Sequence, residues 1–222
     1  GAGIDTLRFD GGTQRVVVNL GSDTLTYDGG STLIENRFIN SWQNAGSNQI
    51  GTVSNIENVD GTQYNDTIRG NNSINTILAG AGDDYIYASL GDDKYDGGAN
   101  SDLVDYSSSS TGINLTLLDS GATVNVSHNI GGVASDSLTN IEGIKGSTTA
   151  SNTLIGNNMN NTLIGGNQTD TIKGVSGNNS LSGGAGNDTI FAGSGSDIID
   201  GGAGNDTINV TNMSDLTSAD II

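Results

Sequence analysis

Apolar residues recur along this chain at intervals of nine, not at helical or simple strand periods. Counting back from Gly201, units begin at residues 147, 156, 165, 174, 183, 192 and 201 without an insertion. A second register begins at Gly61 and continues at 70, 79, 88 and 97. The eighth position is apolar in all twelve units: Ile68, Ile77, Ile86, Tyr95 and Val104, then Leu154, Leu163, Ile172, Leu181, Ile190, Ile199 and Ile208. The surrounding positions are small and polar, most regularly over residues 183–209, which read GGAGNDTIF, AGSGSDIID and GGAGNDTIN. One apolar residue in nine does not make a helical stripe, which needs three or four per two turns. It suits a chain in which six residues turn and three form a short strand. Two units then close one coil, and each strand stacks about 4.8 Å from its counterpart in the next. The pattern predicts an all-β fold, a parallel β-helix or β-roll with a thin core of one inward side chain per strand. Gly, Asn, Ser, Thr and Asp dominate the sequence, so helix is not expected.

The rhythm stops between about residues 106 and 146, where ordinary alternation appears. Gly112 to Leu118 (GINLTLL) and Ala122 to His128 (ATVNVSH) predict a hairpin around Asp119 to Gly121. The lead-in to the second array, LTNIEGIKG, repeats the lead-in to the first, VSNIENVDG. Asn55, Ile56, Glu57 and Gly61 match Asn140, Ile141, Glu142 and Gly146. Further upstream, DTLRF at Asp5 followed by VVVNL at Val16 resembles DLVDY at Asp102 followed by INLTLL at Ile113. The chain thus divides into the end of a preceding repeat plus a β-rich insert (1–60), a five-unit array (61–105), a second β-rich insert (106–146), a seven-unit array (147–209) and an exit segment (210–222). These make two stacked modules. The sole Trp, Trp42, is expected to fill a small satellite core under the first insert. The N-terminus opens inside a unit, with Asp5 at the sixth position and Leu7 at the eighth, which predicts a segment of a longer protein.

Charge sharpens this picture. There are 25 acidic residues against 7 basic, for a net charge of -18, and only Glu35, Glu57 and Glu142 are not Asp. Asp favours turns and is a ligand for hard cations, so the bias points to loops. No basic stripe exists to meet phosphates, which argues against nucleic acid as a partner. Cysteine is absent, which excludes disulfides, thiolate zinc sites and cysteine nucleophiles. No apolar run approaches the roughly 20 residues of a membrane span.

Stacking units two at a time places the sixth positions in columns. In the first array these are Asp66, Asp84 and Asp102, and Asn75 and Asp93; in the second, Asn152, Asp170, Asp188 and Asp206, and Asn161, Asn179 and Asp197, with Asp215 a step beyond. Two carboxylates about 4.8 Å apart repel by about 3 kcal/mol at an effective dielectric near 20. A dication between them reverses the sign. Calcium fits because it takes six to eight oxygens in flexible geometry, and glycine-rich turns add backbone carbonyls. The candidate carboxylates are Asp66, Asp84, Asp93, Asp102, Asp170, Asp188, Asp197 and Asp206. The candidate turn glycines are Gly80, Gly82, Gly98, Gly184, Gly186, Gly193, Gly195, Gly202 and Gly204. The strongest sites are expected between Asp66 and Asp84, Asp84 and Asp102, Asp170 and Asp188, and Asp188 and Asp206. Asn152, Asn161 and Asn179 are read as a hydrogen-bonded ladder without a counter-ion, leaving the start of the second array poor in calcium.

These units carry the nonapeptide signature GGxGxDxUx, and the arrays resemble those of the RTX (repeats-in-toxin) family. NIENVDG and NIEGIKG also resemble spacers between RTX blocks. The resemblance implies a calcium-dependent β-roll in a large bacterial protein exported by type I secretion, without a cleaved N-terminal signal, that folds on meeting external calcium. The family's settings include cytolysins, proteases, lipases, alginate epimerases, adhesins and S-layer proteins.

No GxSxG, HExxH or GxxxxGK[ST] motif is present, and the single His128 is expected on an exposed strand face, so the segment is not expected to be an enzyme. The reading favoured is a structural segment of a secreted or cell-surface protein, an adhesin or S-layer subunit. Its partners are calcium ions and either copies of itself or neighbouring domains. The alternatives are a secretion and folding module attached to an exported enzyme, and an ice-binding β-helix. Ice binding is disfavoured because positions seven and nine hold Thr, Lys, Tyr, Asp, Ser and Phe instead of a regular row.

Overall fold

The computed structural model describes residues 3–9, 15–20 and 54–210, together with the backbone of the strands Leu25–Tyr27, Ser31–Leu33, Arg37–Asn40 and Gln49–Thr52. The satellite core expected around Trp42 and the further column position Asp215 lie outside the described residues. Every regular element described is a strand, mostly three residues long, so no helix among them is long and apolar enough to cross a membrane.

The nine-residue rhythm becomes a coil that alternates between sheets. One ten-stranded sheet runs the length of the molecule. Its parallel portion begins at Val16–Asn19 and continues through Thr67–Arg69, Tyr85–Tyr87, Leu103–Asp105, Gly143–Lys145, Thr162–Gly166, Ser180–Gly184 and Ile198–Asp200. Through the first array the coil alternates into a six-stranded sheet, and through the second into a five-stranded one built on Thr153–Ile155, Thr171–Lys173, Thr189–Phe191 and Thr207–Asn209. Register is set by the core. Val18, Ile68, Ile86, Val104, Ile144, Leu163, Leu181 and Ile199 stack in line along the long sheet, and all are buried. Slipping a strand by one residue would turn its single buried side chain outward, and with it roughly 1.5–3 kcal/mol of apolar burial.

The second insert does not interrupt the long sheet: Leu103–Asp105 pairs with Gly143–Lys145, which pairs with Thr162–Gly166. Instead it closes one side sheet and opens the other. The six-stranded sheet ends in an antiparallel hairpin of Thr123–Asn129 with Val133–Thr139, and the five-stranded sheet starts at Asn114–Thr116, parallel to Thr153–Ile155. This corrects the hairpin expected around Asp119 to Gly121. The chain reverses one strand later, around Gly131, whose φ of 73 opens that turn. The reason is register: Leu115 is the first rung of the new core ladder, opposite Leu154, and Thr123–Asn129 finds seven paired residues in the next strand.

Candidate metal centres in the turns

Each column of sixth positions is built by a repeated hydrogen bond. The N–H of one sixth residue donates to the side-chain Oδ1 of the sixth residue one coil later: Asp66 to Asp84 (2.6 Å), Asp84 to Asp102 (2.9 Å), Asp170 to Asp188 (2.8 Å) and Asp188 to Asp206 (2.9 Å). The second oxygen distinguishes the sites. Oδ2 of Asp84, Asp102, Asp170 and Asp188 is buried and has no hydrogen-bond partner. A buried, unpaired anionic oxygen is costly, and a cation resolves it.

Burial pushes the Asp84 carboxyl up to about 8, against the Asp66 N–H, with the charges of Asp102, Asp66 and Asp83 adding to the rise. Asp102 is pushed up to about 7, mainly by burial and then by Glu142, Asp83 and Asp96. Asp170 and Asp188 are raised for the same primary reason, burial. Without a cation, burial disfavours the charged form at all four carboxyls.

The geometry of the turns fits calcium. Gly80, Gly82, Gly98, Gly184, Gly186, Gly193, Gly195, Gly202 and Gly204 all have positive φ, at the second and fourth positions of their units. A methyl on Gly165 would overlap both Asp170 Oδ2 and the Gly183 carbonyl oxygen, and one on Gly183 would overlap Asp188 Oδ2 and Gly201 O. A carboxylate oxygen of one turn and a carbonyl of the next thus face the same space. Among the described residues no three His, Cys, Asp or Glu side chains gather at one point. A cation here would be held by carboxylate pairs and backbone carbonyls, which is oxygen-only chemistry of the kind calcium accepts.

The columns are not uniform. The units at 61, 70, 147, 156 and 165 contain no positive φ, the unit at 88 has it at its fourth position, and those at 79, 97, 174, 183, 192 and 201 have it at both turn positions. Asp66 is well supplied: its Oδ2 accepts the Thr62 N–H (2.6 Å), and its Oδ1 accepts the Val16 N–H (2.7 Å) and the Thr62 hydroxyl (2.9 Å). Asp93 is also engaged, with Oδ1 on the Asn75 N–H and Oδ2 on the hydroxyls of Ser89 (2.9 Å) and Tyr95 (2.7 Å). Asp197 Oδ1 takes both the Asn179 N–H and its side-chain amide. Asp206 is half-buried in the last described coil. The asparagines satisfy themselves: Asn152 accepts from Ile113 and Ser147 and donates to the Ser147 carbonyl and Asp170 Oδ1.

His128 is not on an exposed face. It is 1% exposed beneath the hairpin, with Nε2 3.2 Å from Asp136 Oδ2, and Asp136 also accepts the Tyr106 hydroxyl at 2.9 Å. Alternation placed it correctly in a strand but gave the wrong face, because the strand's inner side is set by Val126 and His128 together. Asp136 in turn accepts the Asp93 N–H, extending that column across the insert. Sequence reasoning also passed over Glu57 and Glu142 as column members. The signal was present in the duplicated NIE tripeptides.

A family model, the RTX calcium-binding nonapeptide repeat, matches in four copies over residues 54–73, 69–104, 147–181 and 173–208, about half of the chain. No curated protein matches the sequence. Among solved structures the chain is similar to the extracellular lipase LipA from Serratia marcescens, at 14% identity and a TM-score of 0.29, over 82% of this chain and 41% of that one. The chain therefore spans less than half the length of that lipase.

Proposed function

Because the chain belongs to the RTX calcium-binding nonapeptide-repeat family, we propose that it is a calcium-locked structural segment of a large secreted bacterial protein, an adhesin or S-layer subunit at the cell surface. It would be exported unfolded by type I secretion and fold on meeting external calcium. The observation that carries this reading is the set of four buried, unpartnered Asp oxygens at Asp84, Asp102, Asp170 and Asp188, stacked in columns beside positive-φ turns. Calcium between Asp84 and Asp102, and between Asp188 and Asp206, lies between two such turns. The pairs Asp66 with Asp84, and Asp170 with Asp188, have one turn of each kind. The continuous sheet through both arrays supports a rod, and in this reading the segment itself performs no chemistry.

With a dissociation constant near 10⁻⁴ M at each site, calcium at about 10 mM adds about 2.7 kcal/mol per site. Four sites supply an amount comparable to the net stability of a domain. Circular dichroism tests this. In chelator the β signal should be lost, and it should return on adding calcium in excess; a spectrum unchanged by chelator overturns the reading.

A further inference from the structure

The column Asp66, Asp84, Asp102 does not end with its array. In place of a further nonapeptide, the Asp102 N–H donates to Glu142 Oε2 at 3.1 Å, across 40 residues of sequence. Glu142 then holds the next coil, its carbonyl accepting the Thr162 N–H (3.0 Å) and the Asn161 side-chain amide (3.2 Å). Glu142 thus occupies a sixth position without belonging to a nine-residue unit.

The first position is imitated as well. In the arrays a methyl on the first glycine would overlap the carboxylate of its own unit and the first carbonyl of the next coil, as at Gly165 and Gly183. At Gly97 the same overlap is with Asp102 Oδ2 and the carbonyl oxygen of Asn140. Asn140 has a φ of 51, and its side chain is fastened at both ends: its amide donates to Asp96 Oδ1 (2.8 Å) and its oxygen accepts the Gly121 N–H (2.7 Å). That fixes the direction of its carbonyl. Asn140, Ile141 and Glu142 therefore present in three residues the carbonyl and carboxylate that the repeat spreads over six. The extra methylene of Glu compensates for the shorter turn. Asp102 is 1% exposed and its Oδ2 has no partner.

We propose that Asp102, the last sixth-position residue of the first array, forms a calcium site with two donors from outside the nonapeptide repeats, the Asn140 carbonyl and Glu142, which fastens the second insert to the end of that array. The two carboxylates and a fixed carbonyl give a hard-oxygen donor set, and calcium tolerates the water needed to complete its shell. The matched repeats stop at residue 104 and resume at 147, so Asp102 belongs to the last matched unit while Asn140 and Glu142 fall in the gap. It rests on the calcium reading of the arrays, and its test separates the two.

The experiment counts calcium per chain by native mass spectrometry at saturating calcium, for the unaltered chain, Glu142→Gln and Asp188→Asn. Gln keeps an oxygen to accept the Asp102 N–H and removes only the charge. The expected result is one calcium fewer in Glu142→Gln with the β spectrum intact. An unchanged count in Glu142→Gln, alongside a reduced count in Asp188→Asn, overturns this site alone. No bound calcium in the unaltered chain overturns the calcium reading as a whole. Should Glu142→Gln not fold, anomalous diffraction from calcium-soaked crystals of the unaltered chain decides: a peak between Asp102 and Glu142 supports the site, and none there overturns it.

Discussion

At the scale of single residues, the carboxylates are in conflict with the fold that buries them. Asp84 and Asp102 are pushed up to about 8 and about 7 from 3.8. Between those limits the cation-free folded state binds more protons than the unfolded chain, so its stability falls as pH rises from about 4 to about 8. Calcium binds the deprotonated form. Its uptake at pH 7 should therefore release protons, and its affinity should weaken as pH falls. Titration calorimetry at pH 7 in buffers of different ionisation enthalpy should give different apparent heats, converging near pH 9; identical heats at pH 7 would contradict the assignment. Asp84→Asn removes the carboxylate shared by the Asp66–Asp84 and Asp84–Asp102 pairs. Asn retains the oxygen that accepts the Asp66 N–H but carries no charge, as Asn152 and Asn161 do. In chelator at pH 8, with a stabilising osmolyte added to fold the cation-free chain, the variant should be about 1–2 kcal/mol more stable than the unaltered chain, because an unpaired buried charge is gone. In saturating calcium it should be less stable, by about 2.7 kcal/mol for each site lost at a hundredfold excess over the dissociation constant. Thermal melts in the two conditions should show this change of sign.

At the scale of the element, the turns divide by backbone. Val175 stands at the second position of its unit, where the neighbouring units have glycine, and it is held at a φ of 72 and is 43% exposed. A β-branched residue in this region is strained by roughly 1–3 kcal/mol, and glycine's added freedom in the unfolded chain returns part of that. Val175→Gly should raise stability by about 1 kcal/mol in calcium. Gly202→Ala should do the reverse by more than that, since φ is 89 and the new methyl would meet the Gly184 carbonyl. Denaturant midpoints of the two variants check both signs.

The repeated elements were legible because a nine-residue period fixes strand, turn and inward residue together. Ile68, Ile86 and Val104 follow from counting alone. The columns were equally legible. The inserts were not. Alternation identified Ala122 to His128 as a strand, observed at Thr123–Asn129, but its partner depended on Leu115 being claimed by Leu154 in a coil that the local sequence does not announce. For the same reason His128 was assigned to the wrong face. Glu142 was visible as a duplicate of Glu57, yet its place in the column depends on a contact spanning 40 residues.

At the scale of the whole molecule, the two modules are one solenoid joined at a single coil. Each duplicated junction uses the same contact: the Asp5 N–H donates to Glu57 Oε2 at 2.9 Å, as the Asp102 N–H does to Glu142. In such assemblies stability is close to a sum of unit terms and nearest-neighbour interface terms, so cooperativity depends on the weakest interface. Here the coil of Gly143–Lys145 carries the long sheet from one array to the other, and Ile144 is its one inward side chain in that sheet, fully buried between Val104 and Leu163. Ile144→Ala should cost about 2–5 kcal/mol, most of it from the interface between arrays. The arrays also differ in their turns, since the second begins with Asn152 and Asn161 and the first with Asp66. With the junction weakened, each array should respond to calcium at its own midpoint, and thermal unfolding at intermediate calcium should change from one transition to two. Ile190→Ala, which removes a similar buried side chain inside the second array, should lower the transition without dividing it. A single transition in Ile144→Ala at every calcium concentration would show that the arrays are coupled by something other than this coil.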